Sequence, residues 1–93
     1  MMKNKKKARL NDLRHIFYDD LDEGRLTNLP GAVRQMRKTT GLTQAEYAKL
    51  VGIAPRVLID LERGVGNPTL KTLEKLAAPF GLRVSLARKN NSV

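Results

Sequence analysis

The sequence predicts an all-α fold of four to five helices, with an added helix before them and one β-strand after them. Three observations carry that reading. Apolar residues recur at three- and four-residue spacing through most of the 93-residue chain. Prolines, glycines and capping threonines, among them Thr43, Gly52, Pro55 and Gly64, cut this pattern into short pieces. Only residues 82–88, Leu-Arg-Val-Ser-Leu-Ala-Arg, alternate strictly between apolar and polar.

In chain order, residues 1–9 form a lysine-rich arm with two open readings. It is a solvated, flexible tail, or it lies along phosphates or enters a minor groove. Residues 10–24 are an amphipathic helix, because Leu10, Leu13, Ile16, Phe17 and Leu21 share helical spacing and Gly24 stops it. Its last turn is acidic (Asp19, Asp20, Asp22, Glu23), which is unfavourable at a helix C-terminus, so it frays or pairs with basic neighbours. It serves as a packing element or, alternatively, as a partner-binding helix.

Residues 25–29 read as a linker, and residues 28–81 as the main domain. Pro30 suits a first helical turn. Val33, Met36 and Arg37 share a face, and Gly41 ends that helix. Thr43-Gln-Ala-Glu46 has the T-x-x-E pattern of a capping box. Ala48 and Val51 follow at core spacing, and Gly52 suits a left-handed helix end. Pro55 opens the next helix, with Leu58 and Leu61 inward and Gly64 closing it. Thr69 caps a helix carrying Leu70, Leu73, Leu76, Ala77 and Phe80. Pro79 lacks the N–H that would bond back to Lys75, so the last turn should be irregular before Gly81.

Residues 82–88 need a strand partner, because a lone strand leaves its backbone unsatisfied. No other stretch reads as a strand. The same segment of a second copy is the economical partner, giving an antiparallel pair across a two-fold axis. The other reading is that the segment packs on its own domain. Residues 89–93 are a tail.

Composition bounds the function. A chain of this length is one small domain plus tails. There is no cysteine, so disulfides and thiolate metal sites are excluded, and a reducing cytoplasm suits the chain. One histidine, His15, excludes multi-histidine metal sites. The net charge of +9 favours a polyanion as partner. Residues 1–23 carry a net of only +1 and residues 24–93 carry +8, so the folded part holds the excess. No apolar run reaches the roughly 20 residues that span a membrane. The basic N-terminus has no apolar stretch behind it and does not read as a secretory signal.

Residues Thr43 to Gly64 read as two short helices joined by a tight turn at Gly52, the spacing of a helix-turn-helix. The second helix of that unit lies in the DNA major groove. The run Leu42-Thr43-Gln44-Ala45-Glu46-Tyr47-Ala48, Gly52-Ile53, Leu58, Leu61-Glu62-Arg63-Gly64 and Asn67-Pro68-Thr69-Leu70 resembles the XRE/Cro/C1 helix-turn-helix family, over roughly residues 30–81. The added C-terminal strand further resembles HipB-type antitoxins. That resemblance implies a dimer joined by an intersubunit β-lid and a HipA-like kinase toxin as partner.

The expected DNA-binding residues are Gln44, Pro55, Arg56, Val57, Ile59, Asp60 and Arg63. Gln44 opens a helix whose free N–H groups favour phosphate, and the resemblance implies a backbone contact there. It also reads as a plain surface residue of the first turn. Pro55, Arg56, Ile59, Asp60 and Arg63 should point away from Leu58 and Leu61, with Val57 towards the flank. Arg56 can donate two bonds to guanine O6 and N7. Val57 or Ile59 can meet a thymine methyl, and Arg63 suits phosphate. Asp60 repels phosphate unless it accepts from cytosine N4 or pairs with a neighbouring arginine. Such a face makes few base contacts, so preference leans on backbone contacts and DNA shape. The same departure from the family's usual polar face leaves open a third helix that meets protein instead. The resemblance implies a structural salt bridge between Arg37 and Glu62.

These residues point to a dimeric, sequence-specific DNA-binding repressor on a palindromic operator. Within that reading the chain is the antitoxin of an autoregulated toxin–antitoxin operon or a stand-alone phage or host regulator. Binding to RNA is the weaker reading, because only two Phe and two Tyr are available for stacking. An enzyme is not expected: no histidine cluster, thiol or phosphate-cradling glycine loop is present. No catalytic residue, cofactor or metal is expected either.

Overall fold

The computed structural model describes residues 2–88, with side chains from Arg9 onward. Among the described residues there are five α-helices and no strand: α1 (Met2–Asp22), α2 (Leu29–Thr40), α3 (Gln44–Val51), α4 (Pro55–Glu62) and α5 (Leu70–Ala77). A 3-10 turn, Ala78–Phe80, continues α5.

α1 begins at Met2 rather than at Leu10. The lysine-rich stretch expected as a separate arm is the first part of this helix. Its Lys, Ala and Arg residues are good helix formers, and no Gly or Pro interrupts them. α1 lies antiparallel on α2. Its Phe17 is buried and meets Phe80 edge to face at 5.5 Å between ring centres. Tyr18 donates from its hydroxyl to the Phe80 carbonyl at 3.0 Å. Ile16, expected inward, is half exposed at 51%. One residue turns a helix by about 100°, so centring Phe17 rolls Tyr18 inward and Ile16 to the rim.

The acidic end of α1 does find partners. Asp20 accepts from Arg25 Nε at 2.8 Å and from Gln35 Nε2 at 3.0 Å. Arg25, and after it Gln35, holds the Asp20 carboxyl below the usual aspartate range.

The later helices, α2 to α5, begin and end close to the expected residues. Asn28, read from sequence as linker, caps α2 by accepting from the Gly31 amide at 2.8 Å. α2 ends at Gly41, whose φ of 74° is left-handed. Leu10 closes on that same glycine: a Cβ there would stand 3.3 Å from Leu10 Cδ1. The capping box of α3 is complete, with Thr43 Oγ1 accepting from the Glu46 amide at 3.1 Å and Glu46 Oε1 accepting from the Thr43 amide at 2.9 Å. Thr69 caps α5 through the Thr72 amide at 3.1 Å. Pro79 turns the last helical residues into the 3-10 turn, the irregular end expected of it.

Val33, Met36, Tyr47, Ala48, Leu58, Leu61 and Leu76 fill the centre with Phe17 and Phe80. Tyr47 is fully buried and donates to the Leu76 carbonyl at 2.8 Å, so its polar end is satisfied inside the core. Burial pushes its pKa up to about 12. Leu70, grouped from sequence with the core positions of α5, is 59% exposed at the first turn.

The β-strand expected over residues 82–88 is not formed within this single chain. Leu82 packs on the core, and its amide donates to the Ala77 carbonyl at 3.2 Å. Beyond it no strand edge is present among the described residues to continue a ladder. Val84 is 40% exposed and Leu86 is 99% exposed. The expected tail, residues 89–93, lies outside the described residues.

Candidate nucleic-acid interface

Glu62 organises the outer half of the domain. It sits at the end of α4 and is 3% exposed. Its two carboxylate oxygens accept from Arg37 on α2: Nε to Oε2 at 2.8 Å and Nη2 to Oε1 at 3.0 Å. Gln44, at the start of α3, donates from Nε2 to Oε1 at 3.1 Å. Arg37 Nη1 also reaches the Leu42 carbonyl at 3.1 Å. Arg34 donates to the backbone carbonyl of Glu62. One buried carboxylate therefore ties α2, the start of α3 and the end of α4 together.

The electrostatics follow from that geometry. Burial pulls the Glu62 pKa upward, but the hydrogen bonds from Arg37 and Gln44 outweigh it and hold the group below the usual glutamate range. The Glu62 hydrogen bond raises the Arg37 pKa against the opposing effect of burial. A two-point guanidinium–carboxylate pair fixes angle as well as distance. It thus sets the tilt of α4 against α2.

The start of α3 faces outward beside this clamp. The capping box engages the amides of Thr43 and Glu46 and leaves those of Gln44 and Ala45 outside it. With the positive end of the helix dipole, that is a suitable seat for a phosphate oxygen. Gln44 is half-buried. Its bond to Glu62 aims the amide and leaves the group's second N–H for another acceptor.

α3 turns into α4 at Gly52, whose φ of 81° lets its amide return to the Ala48 carbonyl at 2.9 Å. α4 buries Leu58, Leu61 and Glu62 and shows Pro55, Arg56 and Val57 to solvent. Ile59 and Asp60 are half-buried on its flanks, and Arg63 is exposed just past its end. Of the expected DNA-binding residues, Pro55, Arg56, Val57 and Arg63 are thus exposed, and Gln44, Ile59 and Asp60 are half-buried.

Arg56 Nη1 stands 3.7 Å from Asp60 Oδ1, one helical turn on, and its side chain remains 72% exposed. A surface pair this loose is worth about 1 kcal/mol or less. It offsets the negative charge of Asp60 on this face, and it leaves the guanidinium able to turn to another acceptor. Asp60 also accepts, through its backbone carbonyl, from Val65 at 2.9 Å, which folds the following loop back against α4.

Sequence reasoning missed four contributors to this frame: Arg34, Gln35, Asn28 and Lys75. Lys75 donates to the Gly52 carbonyl at 3.2 Å, closing the turn between α3 and α4. Only Asn28 carried a legible signal, as an Asn directly before a helix-opening segment with proline. Among the described residues no group of His, Cys, Asp or Glu could hold a metal ion. Among the described residues no helix is long and apolar enough to cross a membrane.

Comparison with known proteins agrees with this arrangement. The helix-turn-helix family model matches residues 33–86. An uncharacterised HTH-type transcriptional regulator of Archaeoglobus fulgidus is 38% identical over 52 residues, which are 56% of this chain and 74% of that protein. The HTH-type transcriptional regulator DdrOP3 of Deinococcus deserti is 40% identical over 52 residues, 56% of this chain and 40% of its own length. The immunity repressor protein of Bacillus phage phi105 is 38% identical over 53 residues, 57% of this chain and 37% of its own length. The matched segment is therefore most of the archaeal protein but well under half of the other two. No solved structure matches.

Proposed function

The chain belongs to the helix-turn-helix family, and on that premise we propose that it is a sequence-specific DNA-binding transcriptional repressor acting as a homodimer. The observation that carries the reading is the Glu62 clamp. It holds the start of α3 and the whole of α4 at one fixed angle, with Arg56 outward and the α3 amides beside it. That is what a major-groove reader and its phosphate anchor require.

The residue roles are these. Gln44 and the first amides of α3 take a backbone phosphate. Arg56 leaves Asp60 to donate to guanine. Val57 and Ile59 meet a thymine methyl, Pro55 packs on the groove wall, and Arg63 takes a phosphate. Asp60 orients Arg56 and accepts from cytosine N4 where the site offers one.

Dimerisation runs through residues 82–88. Their alternation and the exposed Val84 and Leu86 suit pairing with the same segment of a second copy, which provides the ladder that one chain lacks. Two copies then set their α4 helices about 34 Å apart, or a multiple of that, on a palindromic operator. The likeness to a phage immunity repressor favours a stand-alone regulator. The alternation over 82–88 favours the antitoxin reading, in which the same dimer represses its own operon and neutralises a HipA-like kinase toxin. A protein of either kind works in the cytoplasm.

Fluorescence anisotropy on the chain's own promoter DNA tests the repressor. Binding at about 50 mM salt, weakening steeply as salt rises, is the expected result. No binding there would sink the reading. A tagged pull-down from the native host separates the two settings. A kinase-like protein recovered with promoter DNA marks the antitoxin, and DNA alone marks the stand-alone regulator.

A further inference from the structure

The loop between α4 and α5 folds back on the flank of α4. Val65 donates its amide to the Asp60 carbonyl at 2.9 Å. Gly64 and Gly66, on either side of Val65, take left-handed φ values of 79° and 84°, which tighten the turn. Val57, Leu61, Val65 and Pro68 then line a hollow of about 140 Å³, with Asp60 as the acid in its wall.

Helical angle places this hollow against the face that carries Arg56. α4 turns by about 100° per residue. Leu58 points into the core, and Arg56 and Asp60 fall within about 20° of the direction opposite it. Val57 and Ile59 lie about 100° to either side of Leu58, on opposite flanks, so they cannot meet the same group. Val57 and Asp60 both line the hollow. It therefore borders the outer face of α4 on the Val57 side and is continuous with the surface offered to DNA.

The chemistry of the hollow selects its occupant. Val57 is 36% exposed and Val65 is 47% exposed, while Leu61 is buried behind them. Water against such a surface finds few polar partners, and an apolar group gains by displacing it. On the major-groove edge of DNA the apolar group is the C5 methyl of thymine. A phosphate is disfavoured, because the Asp60 carboxylate repels it and the Val65 amide is already given to the Asp60 carbonyl. A methyl resting on Val57 alone is covered from one side. With Val65 across the hollow it is covered from two, and more of its surface leaves water.

We propose that Val65 is a specificity-determining residue: with Val57 and Leu61 it forms a socket for the methyl group of one thymine in each half-site. This deepens the DNA-binding reading above and rests on it. Part of the sequence preference then comes from the loop after α4, and not from α4 alone.

The full chain is titrated by anisotropy against its own promoter duplex and against duplexes in which each thymine in turn is replaced by deoxyuridine. That replacement removes the methyl and nothing else. One thymine in each half-site should stand out, its replacement weakening binding about fourfold, the worth of one buried methyl. Val65→Ala should weaken binding to the parent promoter, leave binding to a random duplex unchanged, and make that same replacement cost nothing further. Val65 is exposed, so the fold should be retained, as circular dichroism will check. Val57→Ala should erase the same cost, and Ile59→Ala, on the opposite flank, should keep it. The proposal is overturned if the wild type binds its promoter and no thymine is sensitive. It is equally overturned if the sensitive thymine keeps its full cost in Val65→Ala, or loses it in Ile59→Ala. If the wild type binds neither promoter nor random DNA, the repressor reading itself fails, which is a separate and recognisable result.

Discussion

Arg37 and Glu62 stand 25 positions apart in the chain and meet through two hydrogen bonds of 2.8 and 3.0 Å. The pair joins the first helix of the matched domain to the last turn of α4. Glu62 is 3% exposed, so the pair is largely withdrawn from water.

Removing one partner therefore strands the other. Arg37→Ala should lower unfolding stability by about 3 kcal/mol, read as a fall in the urea midpoint. Replacing both partners by methionine should cost clearly less, because no buried charge remains. Equal losses in the single and double variants would show that packing, and not the stranded charge, dominates.

Stability should also fall in acid. The folded Glu62 pKa lies below its ordinary value of 4.5. At pH values between the two, the unfolded chain binds a proton that the folded chain does not. The stabilisation is complete above about 4.5 and is lost as pH falls through the folded value. Asp20, lowered first by Arg25, acts in the same direction. Urea midpoints measured down the pH scale should drop, and Glu62→Gln should flatten that drop. An identical acid slope in the variant would remove Glu62 from the account.

On the alkaline side the controlling group is Tyr47, whose pKa burial raises from 10.0 to about 12. The folded chain keeps this proton after the unfolded chain has lost it. Stability is therefore full below pH 10 and declines as pH rises towards about 12. In a Tyr18→Phe background the remaining tyrosinate absorbance should appear together with loss of helical circular dichroism. Ionisation of a still-folded protein near pH 10 would contradict full burial of the hydroxyl.

Arg56→Ala should reduce the preference for operator over random DNA by about 1–3 kcal/mol, the worth of a bidentate base contact. Asp60→Asn should instead strengthen binding to random DNA, since it removes a negative charge from the face, and narrow the preference for operator, since Arg56 loses its orienting carboxylate. Anisotropy on both duplexes reads the two outcomes. Equal loss on both DNAs for Arg56→Ala would make it a phosphate contact.

Much of this was legible from local patterns. The capping box at Thr43, the proline-led start of α4, the irregular turn at Pro79 and the inward Leu58 and Leu61 all depend on residues within one or two turns. Other features were not legible. Centring Phe17 put Tyr18 inward and Ile16 outward, a roll of one residue that the spacing of Leu10, Leu13 and Leu21 left open. The helical start at Met2 was obscured because a lysine run has the composition of a solvated tail as well as good helix propensity. The satisfaction of Tyr47 by the Leu76 carbonyl crosses from α3 to α5 and has no local sign.

The sequence alone determined the capped ends of α2, α3 and α5, the inward Leu58 and Leu61 of α4 and the net charge of +9, because capping, periodicity and composition act over a few residues. Only the tertiary structure decided that Arg34, Arg37 and Gln44 converge on Glu62, and that α1 leaves α2 beside the start of α3. These relations depend on how helices far apart in sequence pack against a shared core, and short-range spacing does not encode the angle at which they meet.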